Sequence, residues 1–254
     1  MNNWDANQYT KFENERTQPS IDLIRHINIA PESIIDIGCG PGNSTNQLKT
    51  FFPNARILGI DNSDNMLNKA KNSYKDLSFK KCNIPDDLVE LENCDLIFSN
   101  ACLHWIPNHA DLLPRLTDKL NNGGMLAVQM PYVQNALFYK LLDALISTDK
   151  WQKLSGHAIF HNLLPNEYYD ILSKLSKNVT MWETTYYHVV PSHDAVIDWY
   201  SGSGLRVYLD MLSQSEKEEF LTDLKKAVKN NFPIQKDNSV ILKMPRFFFT
   251  VTKE

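Results

Sequence analysis

A glycine-rich loop carries the clearest chemistry in this chain. An apolar run that begins at Ser33 leads into the pattern G-x-G-x-G, formed by Gly38, Gly40 and Gly42. A second apolar run ends at Asp61, about 20 residues later, which is the spacing of a nucleotide-binding βαβ unit. Glycines let the backbone approach a ligand, and a carboxylate after the next strand can hold both hydroxyls of a ribose. The two features predict a site for an adenosine-containing ligand.

The residue after the third glycine separates two kinds of adenosine ligand. Dinucleotide-binding loops have glycine or alanine where this chain has Asn43, so that the helix N-terminus can approach a pyrophosphate. Here Asn43 begins the helix and Pro41 stiffens a wider turn, which suits a methionine tail better than a diphosphate. The loop resembles motif I of the class I S-adenosylmethionine methyltransferases.

Composition limits the function classes. The chain has 254 residues, 43% of them hydrophobic and 22% charged, and a net charge of -4, which fits a globular protein without general attraction to nucleic acid. The first residues lack the basic and apolar regions of a signal peptide, and no apolar run reaches membrane-spanning length. We expect a cytoplasmic protein that binds neither nucleic acid nor membrane, with its four cysteines as free thiols.

The elements that must position the loop alternate between strands and helices. After a leading helix over about residues 5–27, we predict strands at Ile34–Ile37, Arg56–Ile60, Ser78–Cys82, Asp95–Ser99 and Met125–Gln129. Short apolar strands that alternate with helices favour a parallel sheet with its ligand crevice at the carboxyl ends. Helical segments over 135–177 and 192–230 then accompany two long strands, Val179–Val190 and Val240–Val251.

Motifs outside the loop make a narrower resemblance. Thr184–His188, Gly204–Arg206 and Pro245–Arg246, together with Ser99–Pro107 and Leu126–Pro131, are similar to segments of the trans-aconitate 2-methyltransferase family. The resemblance implies a Rossmann-like α/β fold with a mostly parallel seven-stranded sheet, an antiparallel last strand and helical lid insertions. It also implies one domain over 1–254, with a helical cover (1–30), a cofactor-binding half (31–131) and a substrate and lid half (132–254).

The implied reaction transfers a methyl group from S-adenosylmethionine to a carboxylate of trans-aconitate, giving a monomethyl ester and S-adenosylhomocysteine. A carboxylic acid with a pKa of about 4 is already ionised at neutral pH, so in-line displacement needs neither a general base nor a metal. No catalytic acid or base is therefore expected. The remaining task is to align the reactants and to exclude water.

A tricarboxylate substrate needs cations around it, and arginine grips carboxylates best. The chain has only six arginines, and we expect Arg206, Arg246 and Arg16 to bind substrate. For each of them, a surface or salt-bridge role is the alternative. Tyr186 and His188 can donate hydrogen bonds from one face of a strand, with Tyr187 on the other face in the core, or the reverse. Trp105 is expected to wall the site.

The resemblance assigns the cofactor to twelve residues. Asp61 should hold the ribose, Asn62 and Met66 the adenine, and Asn100 with the loop backbone the methionine end. Asn83 stands where related enzymes carry aspartate, and its oxygen can still accept a bond from the adenine amino group. The full set is Asp36, Gly38, Cys39, Gly40, Gly42, Asn43, Asp61, Asn62, Met66, Asn83, Ile84 and Asn100.

Two alternatives remain open. Carboxyl methyltransferases of other small acids, such as a malonyl thioester, share the loop and the chemistry. Only the motifs in the second half of the chain favour trans-aconitate over these acids. A non-catalytic S-adenosylmethionine-binding protein would keep the loop and Asp61 without an enclosed substrate pocket. We expect a monomer or a weak dimer.

Overall fold

Strands and helices alternate along the first half of the chain in the computed structural model. It describes residues 13–157 and 159–254, with side chains from residue 17 onward. The strands are β1 (Ser33–Ile37), β2 (Arg56–Asp61), β3 (Ser78–Lys81), β4 (Cys94–Asn100), β5 (Leu120–Pro131), β6 (Val179–Val190) and β7 (Val240–Thr252).

Nine α-helices lie among the described residues, and in the segments predicted as helical over 135–177 and 192–230 they are separate, shorter helices. They are α1 (Glu13–Ile24), α2 (Asn43–Phe51), α3 (Asp64–Ser73), α4 (His109–Asp118), α5 (Leu137–Ile146), α6 (Pro165–Leu172), α7 (His193–Ser201), α8 (Gly204–Leu209) and α9 (Gln214–Asn231). The predicted start of the leading helix, near residue 5, lies outside the described residues.

One seven-stranded sheet has the order β3-β2-β1-β4-β5-β7-β6. The strands from β3 to β5 pair in parallel, whereas β7 pairs with β5 in the antiparallel direction. This arrangement confirms the predicted class I methyltransferase topology. Apolar side chains of β1, β4 and β5 are almost fully buried, as expected for parallel strands covered on both faces.

Strand β5 begins five residues before its predicted start. The segment Asn121-Asn-Gly-Gly124 has the composition of a turn, so the pattern placed the start of the strand at Met125. Leu120 pairs with Cys94, and the amide of Gly123 donates to the carbonyl of Lys253 at 3.0 Å. These partners are distant in sequence, so only the folded chain reveals the longer strand.

The chain forms two compact units. The first comprises 1–131, 160–184 and 246–254, and the second comprises 132–159 and 185–245. A single domain over 1–254 stays a prediction. None of the helices in the described part of the chain is long and apolar enough to cross a membrane.

Stacked rings support both faces of the sheet in the first unit. On one face, Trp182 stacks on Phe248 with ring centroids 5.0 Å apart, and His26 stacks on Trp182 at 4.0 Å. On the other face, Tyr168 of α6 packs against Phe247 and Phe249. Successive side chains of β7 point to opposite faces of the sheet, so Phe248 contacts the Trp182 side and Phe247 and Phe249 contact α6.

The second unit has a helical core of its own. Helix α9 contacts α5 and α7. Phe138 of α5 stacks on Tyr200 of α7 with centroids 3.6 Å apart, and Trp151 meets Phe220 of α9 edge to face. Ser213 caps α9, where its hydroxyl accepts from the Glu216 amide. Burial of these apolar faces, with the cap, accounts for the predicted helical block.

We expect Tyr168→Phe to destabilise the protein more than Tyr169→Phe does. The Tyr168 hydroxyl lies 2.7 Å from Nδ1 of buried His109, and removing it leaves that nitrogen without a partner at a cost of about 1–3 kcal/mol. The neighbouring Tyr169 is exposed, so its hydroxyl should contribute less than about 0.5 kcal/mol. Urea unfolding of both variants measures the difference, and equal free energies of unfolding would contradict this account.

Candidate functional site

The loop between β1 and α2 needs glycine at two points in particular. Gly38 has a φ of +72°, and a Cβ there would lie 2.3 Å from Cβ and Sγ of Cys102. Gly42 has a φ of +96°, and its Cβ would lie 2.8 Å from the ring of Tyr74. Side chains at these positions are excluded both by backbone conformation and by space. The loop is thus a close-packed turn at the carboxyl end of β1.

Asp36 holds the start of α2 against that turn. Its Oδ2 accepts hydrogen bonds from the hydroxyls of Ser44 at 2.7 Å and Thr45 at 2.6 Å. Burial raises the pKa of Asp36 from 3.8 to about 6, against the opposing effect of these two bonds. Its other oxygen, Oδ1, is buried and has no hydrogen-bond partner among the described residues. The carboxylate therefore has unused capacity for a ligand.

Asp61 links the end of β2 to the same loop. Its Oδ2 accepts from the amide of Gly40 at 3.0 Å, and its Oδ1 accepts from the amide of Ser63 at 2.8 Å. Burial raises its pKa, while the backbone bonds lower it. The carboxylate expected to hold a ribose is thus fixed in direction by the loop next to it.

The other predicted cofactor residues lie at the start of α3, just after β3 and at the end of β4. Met66 is buried in the first turn of α3, and Asn62 is exposed just before that helix. After β3, the side-chain nitrogen of Asn83 donates to Asp86 at 2.8 Å, so the amide oxygen of Asn83 points away from Asp86. The next residue, Ile84, is buried. Asn100 ends β4, and its buried Oδ1 has no hydrogen-bond partner in the described chain.

This arrangement fits the methyl donor. A Cβ at Gly40 would meet nothing within 4 Å, so the turn leaves open space there, and Asp36 and Asn100 both present a buried acceptor oxygen without a partner among the described residues. The ammonium group of a methionine moiety is a donor of the kind that such oxygens require. The individual contacts of these residues with a cofactor remain predictions.

Arg246 lies in a buried group of aromatic and imidazole side chains in the first unit. It is 9% exposed and stands on β7 opposite Pro131. His104, which follows β4, is also buried, and burial and the charge of Arg246 lower its pKa well below the usual value. The His104 ring packs against Trp105 and Phe160. A permanent cation thus lies beside a neutral imidazole.

His104 is a residue that sequence reasoning missed. The chain has another buried histidine nearby, His109, whose two ring nitrogens bond to Tyr168 and to the carbonyl of Leu103. Nδ1 of His104 has no such partner in the described residues. The available signal was its position next to Trp105, in a segment already set apart for its resemblance.

The remaining predicted substrate residues divide between the two units. In the second unit, Tyr186 and His188 share one face of β6, and the His188 ring stacks on Trp199 at 5.0 Å. Tyr187 is 65% exposed, so the suggestion that it belongs to the core is wrong. Arg206 of α8 pairs with Asp210, with Nε and Oδ2 3.5 Å apart. The side chain of Arg16 lies outside the described residues.

Two other kinds of site find no support. Burial raises the pKa of the Cys39 and Cys102 thiols, so neither is a thiolate at neutral pH. Within the ranges that the structure describes, no cluster of three or more histidine, cysteine, aspartate or glutamate side chains could hold a metal ion.

Comparison with known proteins decides the family. Residues 30–189 match the sequence model of the methyltransferase domain family. The whole chain is 37% identical to trans-aconitate 2-methyltransferase of Afipia carboxidovorans over that protein's full length. It is 38% identical to trans-aconitate 2-methyltransferase of Escherichia coli O157:H7, of which it covers 99%. The chain belongs to the trans-aconitate 2-methyltransferase family.

Solved structures show the same fold at low sequence identity. One is a phosphoethanolamine N-methyltransferase of Haemonchus contortus bound to S-adenosylhomocysteine, with a TM-score of 0.57, 15% identity and coverage of 93% of this chain and 53% of that one. Another is the plantazolicin methyltransferase BpumL, also bound to S-adenosylhomocysteine, with a TM-score of 0.54, 18% identity and coverage of 98% and 88%. The methyltransferase fold of this chain is therefore established by its sequence relatives and by its topology.

The buried Asp36 should make the stability of the cofactor-free enzyme depend on pH. Because its folded pKa is raised, its contribution is fully present below about pH 4 and is lost as pH rises through about 6, by about 3 kcal/mol in total. In Asp36→Asn that dependence disappears, while the amide oxygen can still accept from Ser44 and Thr45. Urea unfolding measures the free energy of unfolding of both proteins at pH 4 and pH 7, and that of the variant should increase relative to the wild type by about that amount between the two. If the difference between the two proteins is the same at both pH values, Asp36 is not a buried charge of this kind.

Proposed function

We propose that this enzyme transfers a methyl group from S-adenosylmethionine to a carboxylate of trans-aconitate, forming a monomethyl ester and S-adenosylhomocysteine. The observation that supports the anionic substrate is the buried Arg246 in the same unit as the glycine loop. A buried guanidinium needs an anion or several acceptors near it, and a carboxylate satisfies it in bidentate fashion. The full-length similarity to enzymes of that name supports the same substrate.

The cofactor contacts proposed here are those that the family resemblance implies, and the hydrogen bonds of Asp36 and Asp61 around the loop support them. Asp61 would hold the ribose hydroxyls, and the oxygens of Asp36 and Asn100 would receive the methionine ammonium. Asn83 and Ile84 would bound the adenine, with Asn62 and Met66 on either side of it. When bound, S-adenosylmethionine supplies an electrophilic methyl group on a positively charged sulfur.

The protein itself has little proton chemistry to perform. The substrate carboxyl arrives ionised at neutral pH, so no side chain has to remove a proton from it. His104 fits this interpretation, because burial and Arg246 keep it neutral. Arg246 would orient the substrate, and the rings of Trp105 and Phe160 would keep water from the reacting oxygen.

A methyl-transfer assay across small acids tests the proposed substrate. Purified enzyme with methyl-labelled S-adenosylmethionine should methylate trans-aconitate with a higher kcat/KM than malonate monothioesters, isocitrate or cis-aconitate. Mass spectrometry of the product should show one added methyl group per molecule. Preference for a malonyl thioester would assign the enzyme to another acid, and S-adenosylmethionine binding without any turnover would leave only a binding protein.

Replacing single arginines tests which of them bind substrate. Arg246→Met should raise KM for trans-aconitate by about a hundredfold, because it removes a charged hydrogen bond from a buried site. Arg206→Met tests the other predicted arginine, which is partly exposed and pairs with Asp210, and a KM at the wild-type value would remove it from the substrate site. Affinity for S-adenosylhomocysteine, measured by calorimetry, should stay within a few fold of the wild type in both.

Arg25 provides the matched control for these substitutions. It pairs with Asp22 on the surface and is 64% exposed, so Arg25→Met should leave KM unchanged. If Arg246→Met also retains the wild-type KM while its thermal unfolding is normal, then Arg246 does not bind the substrate.

A further inference from the structure

Three buried polar atoms without partners belong to residues at or just after the carboxyl ends of β4 and β5 in the first unit. They are Oδ1 of Asn100, Nδ1 of His104 and Nε2 of Gln129, and none has a hydrogen bond within the described part of the chain. Leaving a buried donor or acceptor without a partner costs about 1–3 kcal/mol. A buried polar atom without a partner calls for an explanation, and a ligand that completes the bonding is one. Gln129 is 1% exposed and has no role in the reaction described above.

Strand register fixes the direction of Gln129. It pairs with Asn100 of β4 on one side and with Phe248 of β7 on the other. Paired residues share a face of the sheet, and Arg246 stands two positions from Phe248, so Gln129, Asn100 and Arg246 all project from the same face. Residues in this diagonal relation are separated by about 7–8 Å, which two long side chains can bridge through one small anion.

Asn100 and Gln129 differ in the kind of hydrogen-bonding atom that lacks a partner. Asn100 leaves an acceptor without a partner, which suits the ammonium of the methyl donor. Gln129 leaves a donor without a partner, and a donor on the same face as a guanidinium suits an anion. The atom without a partner is therefore an acceptor on β4 and a donor on the neighbouring strand β5.

We propose that the side-chain amide of Gln129 is a substrate-binding group, which donates a hydrogen bond from Nε2 to a carboxylate oxygen of the acid that Arg246 binds. The proposal rests on the function proposed above and adds a specificity-determining residue to it. In the described structure Nε2 is sealed from solvent. Entry of the substrate therefore includes a shift of the side chains that cover Gln129.

Gln129→Met removes the donor and keeps the length and burial of the side chain. We expect KM for trans-aconitate to rise about ten- to a hundredfold, as for a lost hydrogen bond to a charged group, with kcat changed much less. Gln129→Glu keeps the shape and places a negative charge at the same point, so its KM should rise further. Affinity for S-adenosylhomocysteine should stay within about threefold of the wild type in both variants.

Thr117→Val is the matched control. Thr117 is buried in α4, and its hydroxyl bonds to the carbonyl of Leu113 at 2.9 Å, so this variant loses a buried hydrogen bond that has its partner inside the protein. Its thermal stability should fall while KM stays at the wild-type value. An equal rise in KM in Thr117→Val would show that the effect of Gln129 is a general consequence of destabilisation and would overturn the proposal.

Dicarboxylates locate the contact on the substrate. Glutaconate and mesaconate each lack one of the carboxyl groups of trans-aconitate, and the Gln129→Met penalty in kcat/KM should vanish for an acid that lacks the carboxylate bound by Nε2. A penalty that persists with both acids places the bond on the carboxylate common to them, which also supports the proposal. An active wild type with unchanged KM in both Gln129 variants refutes this inference alone, whereas a wild type that methylates no carboxylic acid refutes the proposed function as well.

Discussion

Two carboxylates at the ends of neighbouring parallel strands hold the turn on which the rest of this enzyme depends. Asp36 bonds to the hydroxyls of Ser44 and Thr45 at the start of α2, and Asp61 bonds to the amide of Gly40 within the turn. Both carboxylates are removed from water, and burial raises both pKa values. The protein therefore carries a local electrostatic cost, which bonds to a cationic methionine moiety and a ribose would offset.

The chemistry of carboxyl methylation explains the kind of groups that are buried in the same unit as this turn. The attacking oxygen is anionic before it reaches the enzyme, so the protein needs cations and donors to hold it and has no need of a base. Arg246 carries a charge that does not titrate, and burial together with that charge lowers the pKa of His104 and keeps it neutral. Histidine, the residue most often used for proton transfer, is thus present beside Arg246 in a form that suits hydrogen bonding and packing.

Buried polar atoms without partners are informative because a folded protein seldom leaves them so. In the described part of this chain several of them belong to residues at the carboxyl ends of β1, β4 and β5, where parallel sheets bind their ligands. Asp36 and Asn100 offer acceptor oxygens, whereas Gln129 offers a hydrogen-bond donor. A site that joins a cationic donor to an anionic acid requires this combination of acceptors and donors.

The sequence by itself determined the element order, the glycine turn, the choice of a methionine-type ligand over a dinucleotide, and the family. These features are local, since apolar periodicity and glycine spacing act within a few residues of one another. The early start of β5, the exposure of Tyr187 and the environments of His104 and Gln129 were not predictable in this way. Three of these depend on residues distant in the chain: Gly123 bonds to Lys253, Arg246 acts electrostatically on His104, and Gln129 acquires its direction from strands β4 and β7. Only the tertiary structure decides such contacts, because burial and register are properties of the whole sheet.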